Sequence, residues 1–361
     1  MLKTYRFRIY PSPDQERTLV RHLGAMRFIY NWGLELAVKE YRATGKGFSF
    51  ADLSRRLPGL KTELAWLGEV PAQSLQQALR NLDRAFTGFY RGQAQLPRFK
   101  RKRNSASMRY AQDVRVEWEK ELIRLPRVGW VPIRLSQRFS GVIKSTTISR
   151  VPSGKFFVAI LVEDENQVPQ PTPESIERAV GCDLGLHDFA VLSSGEKYPH
   201  PQWLEAELSR LRMLQRRMDK KETGSRNWEK ARHRLAVLHE RIANRRRDYI
   251  HKLSTDLIRR FDTICLEDLN VGGMSHLRKL SRRITYAGWG MFRHQLEYKA
   301  AWSGKTVRII GRFAPTSRVC PCGYYNHAMT LADRRWECPA CGTLHDRDIL
   351  AANNIKRFAF S

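Results

Sequence analysis

The sequence predicts a multidomain α+β protein, a small β-barrel carrying a helical insert followed by an α/β domain built around buried acids. Three observations carry that expectation. Short alternating segments at 3–10 and 108–163 read as strands, and a helical pattern lies between them. Pro169, Pro171 and Pro173 then mark an extended linker. Beyond them strands and helices alternate, with carboxylates at the element ends.

Lys3 to Tyr10 places Tyr5, Phe7 and Ile9 on one face and Thr4, Arg6 and Arg8 on the other, the pattern of a half-buried strand. Ser12-Pro13-Asp14-Gln15 supplies an N-cap, a proline at the first helical position and a glutamine three residues after the cap. The helical pattern continues to about Tyr90, with breaks expected near Gly45-Lys46-Gly47 and around Pro58-Gly59. Within it Gln73, Gln76, Gln77 and Arg80 share one face. Gln and Arg read purine edges bidentately, and a solvated polar face is the competing reading.

The run Pro97 to Arg103 offers Arg98, Lys100, Arg101, Lys102 and Arg103 to phosphates, with Phe99 expected to pack. From Met108 to Glu163 short strands follow. Val142 to Val151 and Phe156 to Glu163 form a hairpin turned at Pro152-Ser153-Gly154-Lys155. With Lys3 to Tyr10 these strands would make the barrel.

Ala179 to Leu192 reads as two buried strands around a tight turn at Leu186-His187-Asp188. Asp183 lies inside the first apolar run, where an unpaired carboxylate is expensive. Glu267 closes the run Thr263 to Leu266, and Asp348 precedes the helical segment Ile349 to Ile355. Carboxylates so placed suit two divalent cations clamping a phosphodiester; a turn cap with surface acids is the alternative. Between them Leu204 to Met218 and Trp228 to Ile242 form a helical hairpin, broken at Gly224-Ser225. Its arginines, including Arg245, Arg246 and Arg247, have few acids to compensate them and are expected to contact a nucleic-acid backbone, simple solvation being the alternative. A helix over 290–300 and a strand over 306–310 complete the pattern.

With 64 Lys and Arg against 36 Asp and Glu, the formal charge of +28 on 361 residues favours a polyanionic partner. No apolar run is long enough to span a membrane and the basic, aromatic N-terminus is not a signal peptide, so a cytosolic protein with reduced cysteines is expected. Cys320 and Cys322 precede Cys338 and Cys341, with fifteen residues between the pairs (338 − 322 − 1). Four thiolates in two close pairs suit one tetrahedral zinc, although a single residue between Cys320 and Cys322 strains the first turn. Cys182 and Cys265 are solitary and expected in the core.

The order of the motifs resembles the TnpB family, transposon-encoded proteins related to type V CRISPR effectors. The resemblance rests on Phe28-Ile29-Tyr30-Asn31, Leu96 to Lys102, Gly181-Cys182-Asp183-Leu184-Gly185, Ala243 to Asp248, Ala287 to Gly290, Leu296 to Ala301 and His345-Asp346-Arg347-Asp348. It implies an RNase H-like (RuvC) nuclease domain over 178–314 with a zinc-ribbon insert at 315–345 and its last helix at 346–361. It also implies a β-barrel wedge domain formed by 1–10 and 94–168, a helical recognition insert at 11–93, and a linker at 169–177. Asp183, Glu267 and Asp348 would be the catalytic metal ligands for two Mg²⁺, with Asp346 a cap, and the four clustered cysteines would hold one Zn²⁺. The implied partners are a guide RNA from the transposon end, one protein per RNA, and double-stranded target DNA beside a short transposon-adjacent motif. Gln73, Gln76 and Arg80, with Phe50 against a thymine methyl, match the motif-reading region. Leu350 departs from the family's usual asparagine, so the last helix is expected to pack differently. A prokaryotic, nucleoid-associated RNA-guided endonuclease is therefore expected. A nuclease-inactive RNA-guided repressor and a transposase are the alternatives, the first disfavoured because all three acids are present.

Overall fold

The computed structural model describes every residue except 103–105, 165–168, 275, 277–280 and 331, and for Arg282 the backbone alone. It forms two compact units, Met1–Asn166 and Gln167–Ser361.

In the first unit β1 (Leu2–Ile9) is followed by α1 (Pro13–Thr44). The Ser12 hydroxyl accepts from the Gln15 amide, and the Gln15 side chain accepts from the Ser12 amide, so two otherwise orphan donors are satisfied. Gly45, at φ 69°, ends α1 in the left-handed conformation that glycine adopts freely. Then come α2 (Phe50–Glu63), a 3-10 turn at Ala65–Glu69 and α3 (Ala72–Tyr90). The break expected at Pro58-Gly59 does not occur, because α2 runs through it. Leu53, Leu57 and Leu60 bury one face of this helix, and their burial outweighs the single hydrogen bond that a proline removes. The chain turns instead at 64–71.

Strands β2 (Ala106–Tyr110), β3 (Arg115–Glu117), β4 (Leu122–Leu125), β5 (Gly129–Arg134), β6 (Val142–Arg150) and β7 (Phe156–Glu163) join β1 in the order β2-β6-β7-β1-β5-β4-β3. All these pairings are antiparallel. The sequence predicts a small barrel; among the described residues no pairing joins β2 to β3, so the seven strands form a half-barrel sheet. Helices α1 and α3 pack on β2 instead, and β3 has only three residues to offer. One core, including Phe7, Leu23, Leu79, Ile148 and Val158, runs through both the helices and the sheet.

The second unit contains β8 (Ala179–Asp183), β9 (Asp188–Leu192), β10 (Lys197–Pro199), α4 (Trp203–Asp219), α5 (Arg226–Arg260), β11 (Thr263–Glu267), α6 (Val271–Met274), α7 (Ser281–Ala287), α8 (Trp289–Trp302), β12 (Thr306–Ile310), β13 (Arg335–Glu337), β14 (Leu344–Asp346) and α9 (Arg347–Ala359). The main sheet has the order β10-β9-β8-β11-β12, with β8, β11 and β12 parallel. Helix α5 is longer than the expected 228–242 segment because it has two tasks. Leu235 and Leu238 lie on the half that pairs with α4, and Ile250, Leu253 and Leu257 pack against the sheet. Cys182 points into the core beneath α5 and α8, whereas α9 covers the opposite face of β8. Among the described residues no helix is long and apolar enough to cross a membrane.

Candidate active site and zinc centre

Asp183 and Glu267 are the last residues of two adjacent parallel strands, and the register Leu266↔Cys182 sets them side by side. Strand ends of this kind are where α/β sheets gather reactive groups. Gly181 shows which face they share. A Cβ on Gly181 would lie 1.8 Å from the Ala352 carbonyl oxygen, so α9 passes directly over that point. Asp183 is two residues along the strand and therefore on the same face. Asp348 is four residues before Ala352 and on the same side of α9. Three carboxylates thus converge between β8, β11 and the start of α9.

The electrostatics agree with the geometry. Burial, then the charges of Glu267 and Asp348, push the Asp183 carboxyl up to about 7, against an opposing pull from Arg347. Burial also raises Glu267, offset in part by the Thr316 hydroxyl, which donates to its Oε1 at 2.5 Å. Asp348 accepts from Arg334 at 3.2 Å and from Arg347 at 3.1 Å. A cluster of buried like charges is costly alone and suits divalent cations with oxygen ligands. Asp346 plays a separate part. Its Oδ1 caps α9 by accepting the amides of Asp348 and Ile349, and Lys197 holds its other oxygen at 2.7 Å. Thr316 and Arg334 have no local motif to reveal them, since their placement depends on the ribbon folding back on β11 and α9, whereas Arg347 sits within the His345–Asp348 motif beside the acid it contacts.

The four ribbon cysteines also come together. The sulfurs of Cys320, Cys322, Cys338 and Cys341 all lie within 4.8 Å of one another, with Cys320–Cys341 and Cys322–Cys338 each at 3.6 Å. A tetrahedral zinc with Zn–S bonds of about 2.3 Å needs sulfurs about 3.8 Å apart, so the residues fit the ion. The one-residue gap between Cys320 and Cys322 is accommodated by Gly323, whose φ of 97° tightens the turn so that its amide reaches the Cys320 carbonyl at 2.9 Å. His345 is buried with its Nε2 3.1 Å from the Cys320 sulfur, an orienting contact of the kind that surrounds metal thiolates. Leu350 packs with Cys320, Met329, Trp336 and Cys338, which ties the start of α9 to the ribbon. Cys182 and Cys265 are buried and free.

In the first unit Gln73, Gln76 and Arg80 stand exposed on α3, and the Arg80 guanidinium lies 4.7 Å from the Phe50 ring centre. Gln73 donates to Gln112 at 2.9 Å. Asn31 grips the basic run by bonding both the amide and the carbonyl of Lys100, at 2.8 and 3.0 Å. Lys100 and Arg101 then line a cavity of about 380 Å³ with Arg27, Arg84, Gln77 and Asn81. Arg98 and Lys102 are exposed, and Arg103 lies outside the described residues. Phe99, expected to pack, is 56% exposed because the Asn31 grip fixes the backbone without burying the ring. In the second unit Arg245 reaches Glu207 and stacks over Trp203, and Arg246 donates to the Thr285 carbonyl. Arg247 contacts Asn244.

Residues 1–46 match a family described as a helix-turn-helix domain, 159–278 one described as a probable transposase, and 289–355 one described as Cas12f1-like, TNB domain. A Streptomyces pristinaespiralis protein is 37% identical over 98% of this chain and 88% of its own length. InsQ of Escherichia coli (strain K12) is 33% identical over 98% of this chain and 91% of its own. Both carry the name RNA-guided DNA endonuclease. The chain belongs to the TnpB family. The cryo-EM structure of a Cas12f1–sgRNA–target DNA complex has the same fold, with a TM-score of 0.59 at 13% identity over 99% of this chain and 98% of that one. In this TnpB member the stretch matched as helix-turn-helix is strand β1 and the single long helix α1.

Proposed function

We propose that this RNA-guided DNA endonuclease cuts target phosphodiesters at Asp183, Glu267 and Asp348, which hold two Mg²⁺ ions. The observation that carries the reading is the convergence of three carboxylates from β8, β11 and α9 on one buried face. Divalent ions bound there supply Lewis-acid stabilisation and an activated water. The chain's own groups do the rest. Thr316 orients Glu267, and the cap at Asp346 fixes the first turn of α9 and so the position of Asp348. The clustered cysteines hold one Zn²⁺ that folds the ribbon beside α9.

The guide is an RNA derived from the transposon end, one per protein, and the target is duplex DNA. Because a guide cannot read a closed duplex, the protein reads a short adjacent motif first. Gln73, Gln76 and Arg80 on α3, with Phe50, form the reading face, and Arg98, Lys100, Arg101, Lys102 and Arg247 contact phosphates. Asp183→Ala is the test. Cleavage should disappear while guided binding to target DNA survives, and undiminished cutting by this variant overturns the assignment.

A further inference from the structure

After β12 the chain passes Glu267 on its way into the ribbon. At Gly311 to Ala314 it makes a turn, closed by the Ala314 amide donating to the Gly311 carbonyl at 3.1 Å, with Arg312 and Phe313 at the central positions. Phe313 is 93% exposed, whereas Tyr90, the next most exposed large hydrophobic residue described, reaches 67%. The turn is anchored on both sides. Arg312 pairs with Asp268 at 2.6 Å, and Asp268 also holds Arg293 at 2.9 Å. Three residues after Phe313, Thr316 bonds Glu267 and passes its carbonyl to the Asn354 side chain at 2.7 Å. Three residues span at most about 11 Å, so the Phe313 Cα lies within that distance of the Cα of Thr316, the residue touching a proposed metal ligand.

An aromatic ring held in water by a fixed turn has its apolar surface available to a partner. The partner that this site admits is a polynucleotide strand. Stacking on an aromatic ring suits unpaired bases of any sequence, since every base has a π-face, and guide pairing leaves one DNA strand unpaired. We infer that Phe313 is a stacking platform for an unpaired nucleobase beside the scissile phosphate, positioning the strand across the carboxylates. The inference rests on the reading of the site given above.

The test uses the full chain co-purified with its guide RNA, and target duplexes whose displaced strand carries one abasic residue at successive positions across the cut. Phe313→Ala should lower cleavage of the intact duplex by about 5- to 150-fold, the range of one lost base stack, and Phe313→Trp should restore it. An abasic residue at one position should slow the parent protein by a similar factor and slow Phe313→Ala no further. 2-Aminopurine at that position, with EDTA present, should be quenched by the parent protein and not by Phe313→Ala. Unchanged cleavage by Phe313→Ala, or equal further losses on every abasic duplex, overturns the inference. So does a fall in the melting midpoint or zinc content of Phe313→Ala, which would make the ring structural. Asp183→Ala separates the two readings. Cutting retained by that variant overturns the site, whereas a dead Asp183→Ala beside a fully active Phe313→Ala overturns the stacking contact alone.

Discussion

Gly181 is the residue on which the geometry of the candidate centre turns. The space for its side chain is taken by the Ala352 carbonyl and, at 2.9 Å, the Lys356 amide, both backbone atoms that cannot rotate away. Gly181→Ala must therefore push α9 off β8. Overpacking of this kind costs about 1–3 kcal/mol, and a shift of about 1 Å at Asp348 is enough to misplace a metal ligand. The variant should lose Mg²⁺-dependent cleavage by about 100-fold or more while its melting midpoint falls modestly; parent-level cleavage would show that α9 tolerates displacement. Asp183 and Glu267 could be picked from the sequence because an acid within or at the end of an apolar run is locally odd, and Asp348 over Asp346 by its place before a helical segment and by the family resemblance. Thr316 and Arg334 could not, because Thr316 lies 49 residues from Glu267 and nothing nearby in the chain announces the contact.

At the scale of elements, the ribbon and α3 carry the predictions. Cys338 is fully buried and joins β13 to the cysteine cluster, so under the proposed zinc assignment Cys338→Ser should release zinc and, through Leu350, loosen the start of α9. Elemental analysis should find about one zinc per parent chain and none in the variant, whose cleavage should also fall; full activity without zinc would make the ribbon self-supporting. On α3, Gln76→Ala should weaken binding at the preferred motif by about 1–3 kcal/mol and relax preference at one position, read by binding to a panel of flanking sequences. A uniform loss across the panel would mark a phosphate contact instead. Elements with local signals were legible in advance: the Ser12–Gln15 capping box, the hairpin turned at Gly154, and the alternating strands around β1. Those decided by tertiary burial were not. Pro58 reads as a break until Leu53, Leu57 and Leu60 are seen to share a buried face, and the far half of α5 is helical because it covers the sheet. The packing of helices α1 and α3 against β2 was hidden for a similar reason, since it is set by tertiary burial.

For the whole molecule the excess of basic over acidic residues, 64 against 36, was the plainest signal of function and the least specific. It implies that much of the affinity for nucleic acid comes from counterion release, with log K falling linearly in log salt. Arg101→Ala should reduce that slope by about one unit and weaken binding equally across sequences, as measured by titration of duplex DNA at several salt concentrations. An unchanged slope would remove Arg101 from the phosphate contacts. Charge does not single out a site; the sheet order brings the ends of β8 and β11, and with them Asp183 and Glu267, together under a helix, and the proposed centre rests on that.

The contact between Gly181 and Ala352 joins points 171 residues apart (352 − 181). A contact between points so far apart carries a loop-closure entropy that must be offset before it stabilises anything. Asp183 and Glu267 are brought together by strand pairing, but Asp348 arrives only when α9 docks. Local opening of that one helix would dissolve the proposed ligand set while the paired strands persist. Under the proposed assignment, the ligand set would be complete only while α9 stays docked on β8.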